Sequence, residues 1–80
     1  MEDQNNLTSA LKSFLDLIVP NSDQVTVTTR EENGTIILEI TAPDQVTGQI
    51  IGKEGKIIKS LRILLGVAYP QARFNIQIKD

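Results

Sequence analysis

The chain has 80 residues, 40% hydrophobic and 22% charged, with a net charge of −2; this is ordinary globular composition, enough for one domain around a small core. It has no cysteine and no histidine, which excludes disulfides and thiolate metal sites and removes the commonest metal ligand and general base. No apolar run approaches the roughly 18 residues of a membrane span, and the opening Met-Glu-Asp-Gln-Asn-Asn lacks the basic and apolar regions of a signal peptide, so a soluble, cytoplasmic protein without membrane contact is expected.

A first helix is expected from near Leu7, capped by Asn5 or Asn6. Leu7, Leu11, Phe14, Leu15 and Ile18 form one stripe at helical spacing, suited to covering a sheet, while Lys12, Ser13 and Asp16 fall on other faces. Pro20 and Asn21 end it. Gln24 to Thr29 alternates like a strand, with Val25 and Val27 on one face. Glu31-Glu32-Asn33-Gly34 then reads as an exposed acidic turn, because Asn-Gly is a strong hairpin signal. Thr35 to Thr41 returns antiparallel, with Ile36, Leu38 and Ile40 on one face and Ile37 and Glu39 on the other.

Ala42-Pro43-Asp44 opens a short helix, since proline tolerates the first turn and an acid suits its positive end. Val46, Ile50 and Ile51 fit that helix, and Gly52 is a natural C-cap. Gly48 inside it costs about 1 kcal/mol relative to alanine, which suggests close approach by a neighbouring element or a ligand. A longer helix follows, from about Lys56 to Tyr69, stopping before Pro70. Its spacing points Ile57, Leu61, Leu64, Leu65 and Ala68 toward the core. Lys56, Lys59, Ile63, Gly66 and Val67 fall on the opposite half, with Arg62 at its margin. Ile63, Gly66 and Val67 are apolar or small where solvent is expected, which marks a candidate helix-packing or subunit surface. Arg73 to Lys79 is the last strand, with Phe74, Ile76 and Ile78 on one face. The helical excursion before it favours a parallel pairing with strand 35–41 through a right-handed crossover. The order is α-β-β-α-α-β: an α+β fold with a three-stranded mixed sheet and helices on one face.

The chemistry concentrates in Ile50-Ile51-Gly52-Lys53-Glu54-Gly55-Lys56-Ile57-Ile58. Two glycines three apart, between helices, let backbone N–H groups approach a ligand closely. The loop also stands at a helix N-terminus, which favours an anion. Lys53, Lys56 and Lys59 add full charges, so a sugar-phosphate backbone fits this site. Residues 1–44 carry two cations against eight anions, whereas residues 45–80 carry six cations against two anions. A basic patch confined to one part of an acidic protein can hold a polyanion locally.

Other chemistries fit poorly. A nucleotide-hydrolase loop needs four residues between its glycines and then Lys-Ser/Thr; Gly48 to Gly52 spans three, and Glu54 stands where the hydroxyl would be. The glycines do not match a dinucleotide fingerprint either. Without histidine or cysteine no Ser-His or Cys-His arrangement exists, and no metal, cofactor or catalytic residue is expected.

The run Ile-Ile-Gly-Lys-Glu-Gly-Lys-Ile-Ile resembles the Ile-Gly-x-x-Gly-x-x-Ile signature of the KH domain family. The element order resembles the type II arrangement, over nearly the whole of residues 1–80, with the Gly-x-x-Gly loop at 52–55. The nearest likeness is to the small stand-alone bacterial KH-domain RNA-binding proteins. The resemblance implies a non-enzymatic protein that clamps about four unpaired nucleotides of RNA, as an RNA chaperone or post-transcriptional regulator. It implies that Gly52, Lys53, Glu54 and Gly55 meet the RNA backbone. Ile51 and Ile58 would line the groove beneath the bases, Lys56 and Lys59 would continue the phosphate track, and Gly48 would let its helix approach the groove. It also implies action in pairs, as a homodimer or with a larger KH-containing RNA-binding protein. A module that works chiefly through such a partner, or through the ribosome, is the alternative reading. Glu54 offsets part of the charge of Lys53, and Phe14, Tyr69 and Phe74 lie outside the groove, so affinity is expected to be modest and base preference loose.

Overall fold

A computed structural model of the chain describes residues 2–79. The elements are α1 (Glu2–Ile18), β1 (Thr26–Glu32), β2 (Thr35–Thr41), α2 (Asp44–Ile51), α3 (Lys56–Ala68) and β3 (Phe74–Ile78). Short 3-10 turns at Ser22–Gln24 and Lys53–Gly55 complete the path. The order is the expected α-β-β-α-α-β, as the type II KH resemblance implied.

The sheet runs β1-β2-β3. β1 pairs antiparallel with β2, from Thr26 opposite Thr41 to Glu32 opposite Thr35. β3 lies parallel to β2, with Ile36 opposite Phe74 and Ile40 opposite Ile78. The hairpin turn is only Asn33 and Gly34, whose φ values of 53° and 81° match the twist of the strands they join. The expected strand boundary moves accordingly: Glu31 and Glu32 belong to β1 and not to the turn. Arg30 donates to Glu32 at 2.9 Å and pairs with Glu39 at 3.0 Å. Its hydrogen bond to Glu39 is the main cause holding the guanidinium pKa above its ordinary value.

One core joins every element. Leu7, Leu11, Leu15 and Val19 come from the α1 segment, Ile36, Leu38, Ile40 and Ile76 from the sheet, Val46 and Ile50 from α2, and Leu61 and Leu65 from α3. Strand alternation explains why Ile36, Leu38 and Ile40 share the helical side. Ile37 is buried too, but outside that cluster, on the central strand between Arg30 and Asn75 in the register.

Each helix buries a narrow line at i, i+4 spacing: 7-11-15-19 in and just beyond α1, 46-50 in α2, 61-65 in α3. That narrowness corrects three expectations, and a fourth correction has another cause. Ile18 is 46% exposed and Val19 takes the buried place, its N–H donating to the Leu15 carbonyl at 2.8 Å. Leu64 is 45% exposed and Ala68 is also exposed, because each lies one helical row off the Leu61–Leu65 line. The fourth correction concerns the helix start: α1 begins at Glu2, so neither Asn5 nor Asn6 caps it. The segment before Leu7 has no proline or glycine to stop a helix. Lys12 secures the far end of α1 by donating to the carbonyls of Ser22 and Val25 and pairing with Asp16.

Candidate nucleic-acid interface

α2, the glycine loop and α3 bring the candidate residues together. Val46 and Ile50 anchor α2 in the core and leave Gly48 and Ile51 on its outer side. The Gly52 N–H closes α2 by donating to the Gly48 carbonyl at 2.9 Å. Gly52 then turns the chain with φ 75° and ψ 177°, a combination open essentially to glycine alone. A Cβ there would lie 2.7 Å from Ile57 Cγ1 and 3.0 Å from Ile57 Cβ. Ile57 packs against the core, so it seats the loop from below. Spacing had marked Ile57 only as a core residue; its contact with Gly52 had no signal in the sequence.

Lys53 and Glu54 follow in a 3-10 turn, and Glu54 is left-handed at φ 58°, ψ 24°. Gly55 is left-handed as well, at φ 73°, ψ 18°, and its N–H donates to the Gly52 carbonyl at 3.2 Å. A Cβ on Gly55 would meet nothing within 4 Å. The two glycines therefore differ: one is sterically closed, the other open. A helical residue followed by a left-handed one turns successive N–H groups to the same side, a concavity that suits anions. Gly55 also begins α3, whose first turn adds the positive end of its dipole.

Lys53, Lys56 and Lys59 are all exposed. Among the described residues the ion pairs are Lys12–Asp16, Arg30–Glu32 and Arg30–Glu39. None engages the loop or α3 lysines, so their charge is available to a ligand. Ile51, 36% exposed, and half-buried Ile58 supply apolar surface. Among the described residues a Cβ on Gly48 would meet nothing within 4 Å; of the two reasons for a glycine there, packing against a neighbouring element finds no support. Phe14, Tyr69 and Phe74 are partly buried against the core.

Arg62 has a role that helical spacing did not indicate. Its Nη2 donates to the Ile76 carbonyl at 3.4 Å and ties α3 to β3, an edge strand. Beyond the loop, Ile63 is 66% and Val67 75% exposed, with Gly66 half-buried. Exposed Leu64 extends this stripe, although it had been expected in the core.

The KhpA/KhpB KH-domain family profile matches residues 8–79. The chain belongs to that family. The RNA-binding protein KhpA of Thermotoga maritima is 42% identical over 55 residues, covering 69% of this chain and 73% of the relative. The RNA-binding protein KhpA of Aquifex aeolicus is 38% identical over 61 residues, covering 71% and 77%. The protein of that name from Borreliella burgdorferi is 25% identical over 79 residues, covering 99% and 96%. No solved structure matches. Membership of a KH family fits the type II element order and the Gly52–Gly55 loop. No helix among the described residues is long and apolar enough to cross a membrane, and no acidic cluster among them has the makings of a metal site.

Proposed function

We propose that residues 1–80 act as one KH domain, a non-enzymatic, cytoplasmic binder of single-stranded RNA that serves as an RNA chaperone or post-transcriptional regulator. The loop Gly52-Lys53-Glu54-Gly55 grips the backbone of about four nucleotides. Lys56 and Lys59 continue the phosphate track, Ile51 and Ile58 form the floor under the bases, and Gly48 gives the RNA room beside α2. The observation that carries this reading is a set of three exposed lysines, unpaired among the described residues, around a glycine loop with left-handed Glu54 and Gly55. The relatives' shared name, RNA-binding protein KhpA, supports it. Fluorescence anisotropy with a short RNA of mixed sequence tests it. The double variant Lys53→Asp, Gly55→Asp should lose binding and keep its circular dichroism spectrum. Aspartate tolerates a left-handed backbone, and the space at Gly55 is open. Binding that survives in the folded variant would refute the loop assignment.

A second reading rests on the exposed stripe of Ile63, Leu64 and Val67 beside Gly66. On this reading α3 pairs with a second copy, or with the KH domain of a larger RNA-binding protein. Two loops on one RNA then raise avidity with no new contact to the nucleotides.

A further inference from the structure

Glu54 is the acidic residue of a loop otherwise made of glycine and lysine. It is exposed, and no ion pair among the described residues includes it, although Lys53 and Lys56 are close in the chain. Its φ of 58° lies in a region that residues other than glycine seldom occupy, and in which asparagine and aspartate are more at home than glutamate. The side chain is thus held in the loop without a protein partner, against the backbone's own preference.

A carboxylate only accepts hydrogen bonds. Beside a phosphodiester chain it meets further acceptors: phosphate oxygens, ester oxygens and the sugar ring oxygen. The sugar-phosphate backbone of DNA offers no donor to offset that repulsion. The RNA backbone offers one at every nucleotide, the ribose 2′-OH. A bond from a hydroxyl to a carboxylate is charge-assisted and stronger than a neutral one. The same side chain therefore opposes DNA and is compensated by RNA.

We propose that Glu54 makes this loop select RNA over single-stranded DNA, by accepting a hydrogen bond from a ribose 2′-OH of the bound strand. The inference rests on the loop being the backbone grip proposed above. In RNA the 2′-OH bond offsets the carboxylate's repulsion of phosphate, and in DNA nothing does.

The test compares one mixed-sequence oligomer in three forms by anisotropy at low salt: RNA, DNA and 2′-O-methyl RNA. The last removes the donor and keeps a ribose-like sugar. The proteins are wild type, E54A, E54Q and the K53D/G55D double variant, each checked for folding by circular dichroism. Wild type should bind RNA roughly fivefold or more tighter than either donor-free strand, about the worth of one net hydrogen bond. E54A should bring all three strands within about twofold of one another, mainly because DNA and 2′-O-methyl RNA gain affinity as a repulsive charge is removed. E54Q, which keeps an acceptor without the charge, should tighten DNA binding and retain part of the RNA preference. A wild type without preference, or an E54A protein with an unchanged RNA-to-DNA ratio, overturns the inference. When K53D/G55D has meanwhile lost RNA binding, the loop assignment survives that result. Undiminished RNA binding by K53D/G55D overturns both.

Discussion

Replacing each loop glycine with alanine should have unequal consequences. Gly52 combines φ 75° with ψ 177°, a region in which a side chain costs about 1–3 kcal/mol. Its new methyl would also sit 2.7 Å from Ile57 Cγ1 and 3.0 Å from Ile57 Cβ. Ile57 is β-branched and lies on a helix, where one χ1 rotamer dominates, so it cannot simply turn aside. Overpacking of this kind adds roughly 1–3 kcal/mol. The stiffer unfolded chain returns about 0.4–1 kcal/mol. Gly52→Ala should therefore lose about 3 kcal/mol, within a range of roughly 1–5 kcal/mol. Gly55→Ala has only the left-handed backbone to bear, about 1–2 kcal/mol before the same offset, and no neighbour within 4 Å. It should lose about 1 kcal/mol or less. An 80-residue domain holds roughly 4–12 kcal/mol in total, so the first change is severe and the second is not. Urea unfolding followed by circular dichroism measures both, as midpoint shifts at constant slope. Gly52→Ala should also become less damaging in an Ile57→Ala background, by about 1–2 kcal/mol, because the contact with Ile57 Cγ1 is gone while the tight approach to Cβ and the backbone strain remain. Equal losses for the two glycines, or no coupling to Ile57, would refute the reasoning.

Gly48→Ala should stabilise the protein by up to about 1 kcal/mol, since the position is helical, exposed and unobstructed; under the proposed function the same change should weaken RNA binding, and anisotropy beside thermal melting separates the two effects. Ile63→Glu should keep the circular dichroism spectrum of the folded protein, because the side chain is 66% exposed and its loss costs the core little. In light scattering at micromolar concentration it should turn a dimer into a monomer; a wild type that is already monomeric and unchanged by Ile63→Glu would remove the homodimer reading.

Much of the fold could be read from local chemistry. Asn33-Gly34 announced the hairpin, strand alternation placed Ile36, Leu38 and Ile40 inward, and the i+4 line through Leu7, Leu11 and Leu15 located the face of α1. Periodicity gives the direction of a buried face but not its width. Ile18, Leu64 and Ala68 therefore looked like core and are exposed, because each helix fully buries only a single row of side chains. Helix starts are weakly specified when no breaker precedes them, which is why α1 reaches back to Glu2 past Asn5 and Asn6. In the site, the glycine spacing and lysines indicated the loop. What they did not indicate depends on contacts between distant residues or on backbone angles: Ile57 beneath Gly52, Arg62 on the Ile76 carbonyl, and the left-handed Glu54.

The most direct test of the central claim is the salt dependence of RNA affinity for wild type and for the Lys53→Asp, Gly55→Asp variant. If Lys53, Lys56 and Lys59 each neutralise one phosphate, log K should fall against log salt with a slope of about −2 for a single strand. From 50 to 200 mM salt this is a loss of roughly 15- to 20-fold. The folded double variant should bind too weakly to measure at either concentration. A flat salt response in wild type, or a double variant that binds like wild type, would contradict the account.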